Sequence, residues 1–185
     1  MKKNLLFPIL GTLLAISLFS CIKDTDFDQA HDVTATPVVE LNLIHFNLVA
    51  QDFFDETTNT PRLVLTDTTE IRFLDDTETQ ESLIRADFDF VFTNSIPRSF
   101  QTDFTFLTVD NEETYATTTS VMEGSPDAAV VTEFTEVVEG ATILQLTQAD
   151  KVVVTVTIPS SDESLQGSLN LKSKTTYYLE VKERN

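Results

Sequence analysis

The sequence predicts an all-β fold: a single antiparallel β-sandwich, immunoglobulin-like or jelly-roll-like, with one short helix, over residues 37–185. Three observations lead there. From Pro37 onward apolar and polar residues alternate at period two, which is how a strand buries one face and wets the other. Turn-forming residues separate these runs at short intervals, as in a sandwich. Glycine is scarce, 4 of 185 residues, and no internal repeat is present, which argues against collagen-like and low-complexity structure.

Taken in order, Val39, Leu41 and Leu43 alternate with Glu40 and Asn42, and the phase then flips to Ile44, Phe46 and Leu48. A flip inside one run predicts a β-bulge near Leu43–Ile44. Leu63-Val64-Leu65 and Ile71-Arg72-Phe73-Leu74 read as short strands. The clearest strand is Ala86–Phe92, with Phe88, Phe90 and Phe92 inward and Asp87 and Asp89 toward water. Phe100, Thr102, Phe104 and Phe106 repeat the pattern. Asp110-Asn111-Glu112-Glu113 is a turn, and Thr114–Val121 returns as a Thr-rich strand, followed by another over Ala129–Val138. Thr142 with Gln145 three residues on makes a capping-box signature, and Ile143, Leu146 and Ala149 share one helical face, which predicts the short helix. Lys151–Ile158 is β-branched and stopped by Pro159; Ser168–Lys172 and Thr176–Lys182 close the domain. The predicted core is Phe88, Phe90, Phe92, Phe104, Phe106, Val152, Val154 and Val156.

What precedes the sandwich is of another kind. Met1-Lys2-Lys3-Asn4 is followed by an uncharged apolar run from Leu5 to Phe19. Two lysines, a short greasy stretch and a small residue before a cut site are the layout of a secretory signal peptide, here residues 1–20. The run is shorter than the roughly 18–20 residues a membrane-spanning helix needs, and it contains Pro8 and Gly11. Residues 21–36 are polar, acidic and without periodicity, and read as a flexible tether. From Ile22 to Thr36 it would reach roughly 50 Å fully extended and about 20 Å as a coil.

Leu18-Phe19-Ser20-Cys21, placed at the end of that run, resembles the lipobox of bacterial lipoproteins. The resemblance implies that Cys21 is the only cysteine for a reason: its thiol receives a diacylglycerol, a peptidase cuts before it, and the new amine is acylated. Two or three acyl chains on one residue make a stable anchor where a single chain would bind reversibly, at about 0.8 kcal/mol per buried methylene. Lys23, Asp24 and Asp26, just after the cysteine, are similar to the export signal that carries lipoproteins of Bacteroidota to the outer leaflet of the outer membrane. A plain solvated acidic tether is the other reading of the same residues. Together these resemblances imply an outer-membrane location, with the cell surface favoured over the periplasmic face.

Charge limits the partners. The chain has 12 Lys and Arg, two of them within residues 1–20, against 30 Asp and Glu, so its net charge of −18 becomes −20 without that segment. Nucleic acid and anionic lipid headgroups, which need Lys and Arg, are excluded as partners.

Catalytic constellations are thin. The two histidines, His31 and His45, lie in the tether and in the first strand, and neither G-x-S-x-G nor H-E-x-x-H occurs. The one thiol is assigned to lipid. Asp24, Asp26 and Asp28 open like an EF-hand loop, but Gln29 and Ala35 stand where it needs glycine and glutamate. Asp75 and Asp76, and Asp110 and Glu112, offer oxygen ligands in acidic turns, enough for weak Ca²⁺ binding and for no other cofactor. No tryptophan is present to stack a sugar, and of Tyr177 and Tyr178 a regular strand turns one ring each way. Asp67-Thr68-Thr69 is similar to the O-glycosylation acceptor of Bacteroidota, with Thr68 as the acceptor. The expected function is therefore a lipid-anchored cell-envelope protein whose sandwich is a non-enzymatic binding or structural module for an envelope protein or glycan. The alternative is an envelope hydrolase using carboxylates, with Ca²⁺.

Overall fold

The computed structural model describes residues 34–182, so the segment read as a signal peptide and all but the end of the segment read as a tether, with Cys21, Lys23, Asp24 and Asp26, lie outside the described residues. Met1–Thr34 with Lys182–Asn185 form a unit of which only Thr34 and Lys182 are described; Ala35–Val181 form the other. In this second unit eight long strands carry the fold: β1 (Val38–Val49), β2 (Val64–Glu70), β3 (Leu83–Asn94), β4 (Phe100–Leu107), β5 (Glu113–Val121), β6 (Val130–Glu139), β7 (Lys151–Thr157) and β8 (Ser168–Leu179). They form two four-stranded sheets, β1-β8-β3-β6 and β2-β7-β4-β5, with every pairing antiparallel.

This order identifies the topology. The first strand pairs with the last, the second with the seventh, the third with the sixth and the fourth with the fifth. The chain is thus one long hairpin rolled up on itself, the jelly roll with its two Greek keys. An immunoglobulin sandwich would instead pair its first strand with its second.

Between the sheets lies an aromatic core. Phe88, Phe90 and Phe92 from β3 and Phe104 and Phe106 from β4 are buried, as are Val152, Val154 and Val156 of β7. Phe90 stacks on Phe104 across the sheets with ring centroids 4.0 Å apart, and Phe88 meets Phe106 at 5.1 Å. Burying each ring contributes about 1.5–3 kcal/mol by area alone.

The bulge expected in β1 is present. His45 pairs with Lys172 and Asn42 with Lys174, so Leu43 and Ile44 together face Ser173. The Ser173 hydroxyl fills the gap: it accepts from the Ile44 N–H at 3.0 Å and donates to the Ile44 carbonyl at 2.6 Å. The same interaction explains a difference from expectation. Ser168–Lys172 and Thr176–Lys182 are not two strands; β8 runs unbroken from Ser168 to Leu179, and of the polar residues between them Ser173 serves the bulge, Lys174 faces out and Thr175 is buried in the inward phase.

Three further differences concern helical turns. Ile71–Leu74 is not a strand but leads into a 3₁₀ turn at Arg72–Leu74. Ile71 and Leu74 are both buried, and a repeat of three residues per turn brings both to one side. A second helix, α1 (Thr77–Ser82), follows; Asp76 is its N-cap and accepts from the Thr79 N–H at 2.8 Å. The expected helix is α2 (Ile143–Leu146), with Ile143, Leu146 and Ala149 buried as anticipated. Its capping box is not made. A 3₁₀ turn over Gly140–Thr142 already places Thr142 in helical conformation, and its hydroxyl makes no cap. Gly140, at φ 62°, makes the reversal from β6.

Candidate functional site

A two-sheet sandwich has two open sides, each between an edge strand of one sheet and an edge strand of the other. Here the edges are β1 and β6 in one sheet and β2 and β5 in the other. The two sides are finished differently. On the β5–β6 side Glu136 bridges the sheets: one carboxylate oxygen accepts from the Tyr115 hydroxyl, the other from the Thr117 hydroxyl at 2.9 Å. Desolvation, and then the hydrogen bond to Glu136, push the Tyr115 phenol well above its ordinary value, so it remains a donor. The Met122 N–H adds a bond to the Thr132 hydroxyl at 3.1 Å.

On the β1–β2 side the sheets are left apart. A groove of about 330 Å³ opens there, with a floor of Phe46 and Leu48 from β1, Leu65 from β2, and Val154 and Val156 from β7. Asp52, Arg62, Thr66 and Asp67 stand on its rim. A concave apolar site of this size with a few polar groups is the form small-ligand and side-chain sites take.

The rim is built by the edges themselves. β1 ends in a 3₁₀ turn, Ala50–Phe53, that swings Asp52 back to accept the Val49 N–H at 2.8 Å. Asp67, in the inward phase of β2, accepts the N–H of its own neighbour Thr68 at 2.8 Å. Each carboxylate thereby occupies a donor on an otherwise unpaired edge, which protects edges against indiscriminate pairing. Arg62 follows the two-residue strand Thr60–Pro61, which pairs with Phe54–Asp55, and its guanidinium lies 3.9 Å from Asp55. Hydrogen bonds from the Thr58 and Thr57 N–H groups, with Arg62 adding a smaller attraction, hold the Asp55 carboxyl below the usual range.

Of the residues singled out from the sequence that are described, all but Thr68 lie elsewhere. Thr68 is exposed on β2, next to Asp67 of the groove. Asp75 ends the 3₁₀ turn and Asp76 caps α1, and hydrogen bonds from Thr79 hold the Asp76 carboxyl below its ordinary value. Asp110 and Glu112 sit in the β4–β5 turn, where their N–H groups donate to the Thr108 hydroxyl at 3.2 and 3.1 Å. Among the described residues no group of three or more His, Cys, Asp or Glu is placed to share a metal ion. His45 is exposed on the outer face of β1. Tyr177 is buried and Tyr178 faces out, as a regular strand requires; the Tyr178 ring is covered by the Arg85 guanidinium, 5.2 Å from its centroid, and its hydroxyl donates to Asp87 at 3.3 Å.

The groove itself was not among the sequence-derived candidates, although β2 carries a signal for it. Leu65, Asp67 and Thr69 occupy the inward phase of that strand, and a charge in the inward phase marks a strand whose inner face is not sealed.

No protein-family model matches the chain, and no curated protein matches its sequence. Similarity is found with solved structures. One is the VP2 subviral particle of infectious bursal disease virus, with a TM-score of 0.47 and 7% identity, over 77% of this chain and 32% of that one. Another is a protein from Parabacteroides distasonis assigned as secreted, with a TM-score of 0.44 and 13% identity, over 66% of this chain and 38% of that one. The chain thus spans less than two fifths of the length of either. No helix among the described residues is long and apolar enough to cross a membrane.

Proposed function

We propose that this chain is a lipid-anchored cell-envelope protein whose jelly roll is a non-enzymatic binding module, with its site in the groove between β1 and β2. The observation that carries the reading is the asymmetry of the sandwich. Glu136 ties one side shut, and the opposite side leaves five apolar side chains lining a groove. Sealing the second side with larger residues would bury more apolar surface and stabilise the fold, so an open side has a cost that function would explain.

The anchor is Cys21, at the end of the lipobox-like segment, and Lys23, Asp24 and Asp26 direct the protein to the outer face of the outer membrane. The groove lies away from the end where the chain joins the sandwich. From Val38 to Phe46 β1 advances roughly 26 Å.

Two experiments test this. Cells labelled with a fatty-acid analogue should label the wild type and not Cys21→Ala; equal labelling removes the anchor. A photo-crosslinking residue in place of Thr66, on the rim, should capture a partner in intact cells, and one in place of Glu133, on the outer face of β6, should not. Equal capture from both positions, or none from Thr66, contradicts a site in the groove.

A further inference from the structure

The β2 edge has a second property, independent of the groove's shape. Its pairing with β7 fixes which backbone groups are free. The Ile71 N–H donates to Asp150 and the Ile158 N–H to Leu63, so in this register the odd-numbered residues of β2 make the ladder bonds. The N–H and C=O groups of Val64, Thr66, Thr68 and Glu70 therefore point away from the sheet. Thr68 has its N–H taken by Asp67. The same reasoning applies to β1: the Ala50 N–H donates to Gly167, so the Val49 N–H points outward, and Asp52 takes it.

The carboxylates thus block β1 at Val49 and β2 at Thr68, and leave the edge open at Val64 and Thr66. Those two residues flank Leu65, whose side chain is part of the groove floor. A segment pairing with the edge at Val64–Thr66 would carry alternate side chains past the mouth of the groove, the arrangement of β-strand addition. Charge specifies the segment further. Asp52 and Asp67 on the rim, Asp55 beside the one arginine, and a net charge of −18 all favour cations.

We infer that the groove is filled by one apolar side chain of an extended, basic segment of a partner protein, which adds as a short strand to the β2 edge at Val64–Thr66. This rests on the groove being the binding site, and names its partner by mode and charge.

The test uses the full-length lipidated protein in detergent, and short random peptides displayed on phage as the probe. The expected enrichment is an apolar residue flanked by Lys or Arg; no enrichment, or acidic flanks, overturns the inference. An enriched peptide is then synthesised with single backbone N-methyl groups. Methylation at alternate positions should weaken binding by roughly tenfold or more, since each blocked amide loses a hydrogen bond across the new pair. Thr66→Pro should weaken binding similarly, because it removes an outward N–H that the β7 ladder does not use, as edge strands tolerate. Glu70→Pro, which removes an outward N–H beyond the stretch that pairs, should bind as the wild type does, and an unchanged melting temperature for both variants shows that folding is not the cause. Peptides that bind with Leu65→Glu sensitivity but no response to N-methylation or Thr66→Pro overturn strand addition and leave the groove standing.

Discussion

Phe90→Ala is the substitution whose effect the structure specifies best. The ring is 1% exposed and lies between sheets, stacked on Phe104 at 4.0 Å and facing Phe134 on the neighbouring strand at 5.9 Å. Truncation removes the transfer free energy of a buried ring and leaves a void that rigid strands on both sides close poorly, about 3–5 kcal/mol. The upper half of that range is expected, because two ring contacts are lost with it. The Phe90–Phe104 pair should show a coupling of about 1 kcal/mol in a double-mutant cycle with Phe104→Ala. A domain of this size unfolds with a urea slope of about 2 kcal/mol per molar, so a loss of about 4 kcal/mol lowers the midpoint by about 2 M. Equilibrium urea unfolding followed by far-UV circular dichroism measures it. A loss below about 1.5 kcal/mol, or a cycle with no coupling, would refute the packing described between β3 and β4.

Further outcomes follow from single groups. Thr102 is fully buried and its hydroxyl has no partner, so Thr102→Val should stabilise the domain by about 1 kcal/mol, read as a higher urea midpoint. Glu136→Ala strands the hydroxyls of Tyr115 and Thr117 and should cost about 2 kcal/mol, with faster amide exchange in β5 and β6 than in β1 and β2. Burial pushes the Tyr177 phenol up from its ordinary 10.0 to about 12. A raised value means the stabilisation is complete below the unfolded value and is lost as pH rises through the folded one. Stability should therefore fall by about 3 kcal/mol as pH goes from ~10 to ~12, and Tyr177→Phe should remove that share of the fall.

Local pattern and topology were settled at different levels. Period-two alternation at Phe88-Asp89-Phe90-Val91-Phe92 and at Phe100–Phe106 determined which side chains are buried, because a strand's geometry sends neighbours to opposite faces wherever it sits. The phase flip at Leu43–Ile44 likewise determined the bulge, since an extra residue is the simplest way to reverse phase within one strand. Local chemistry misled where two structures use the same residues: Ile71 and Leu74 face one side in a 3₁₀ turn, and a serine in mid-strand looks like a break until the gap it fills is known. The order of strands was beyond local reading, because β1 and β8 pair across more than a hundred residues and alternation says nothing about which edge a strand will meet.

The candidate site divides the same way. The proposed anchor is read from contiguous residues, Leu18 to Cys21, which lie outside the described residues. The groove draws on β1, β2 and β7, with Asp52 and Arg62 supplied by the connection between the first two, and no spacing along the chain encodes that meeting. Only Asp67, a charge in an inward phase, hinted that one edge stays open. Whether an inward charge is buried, paired or left at an open side depends on the strand facing it from the other sheet. That strand is β1, and it lies opposite β2 only because the hairpin rolls up as a jelly roll, with β1 beside β8 and β2 beside β7.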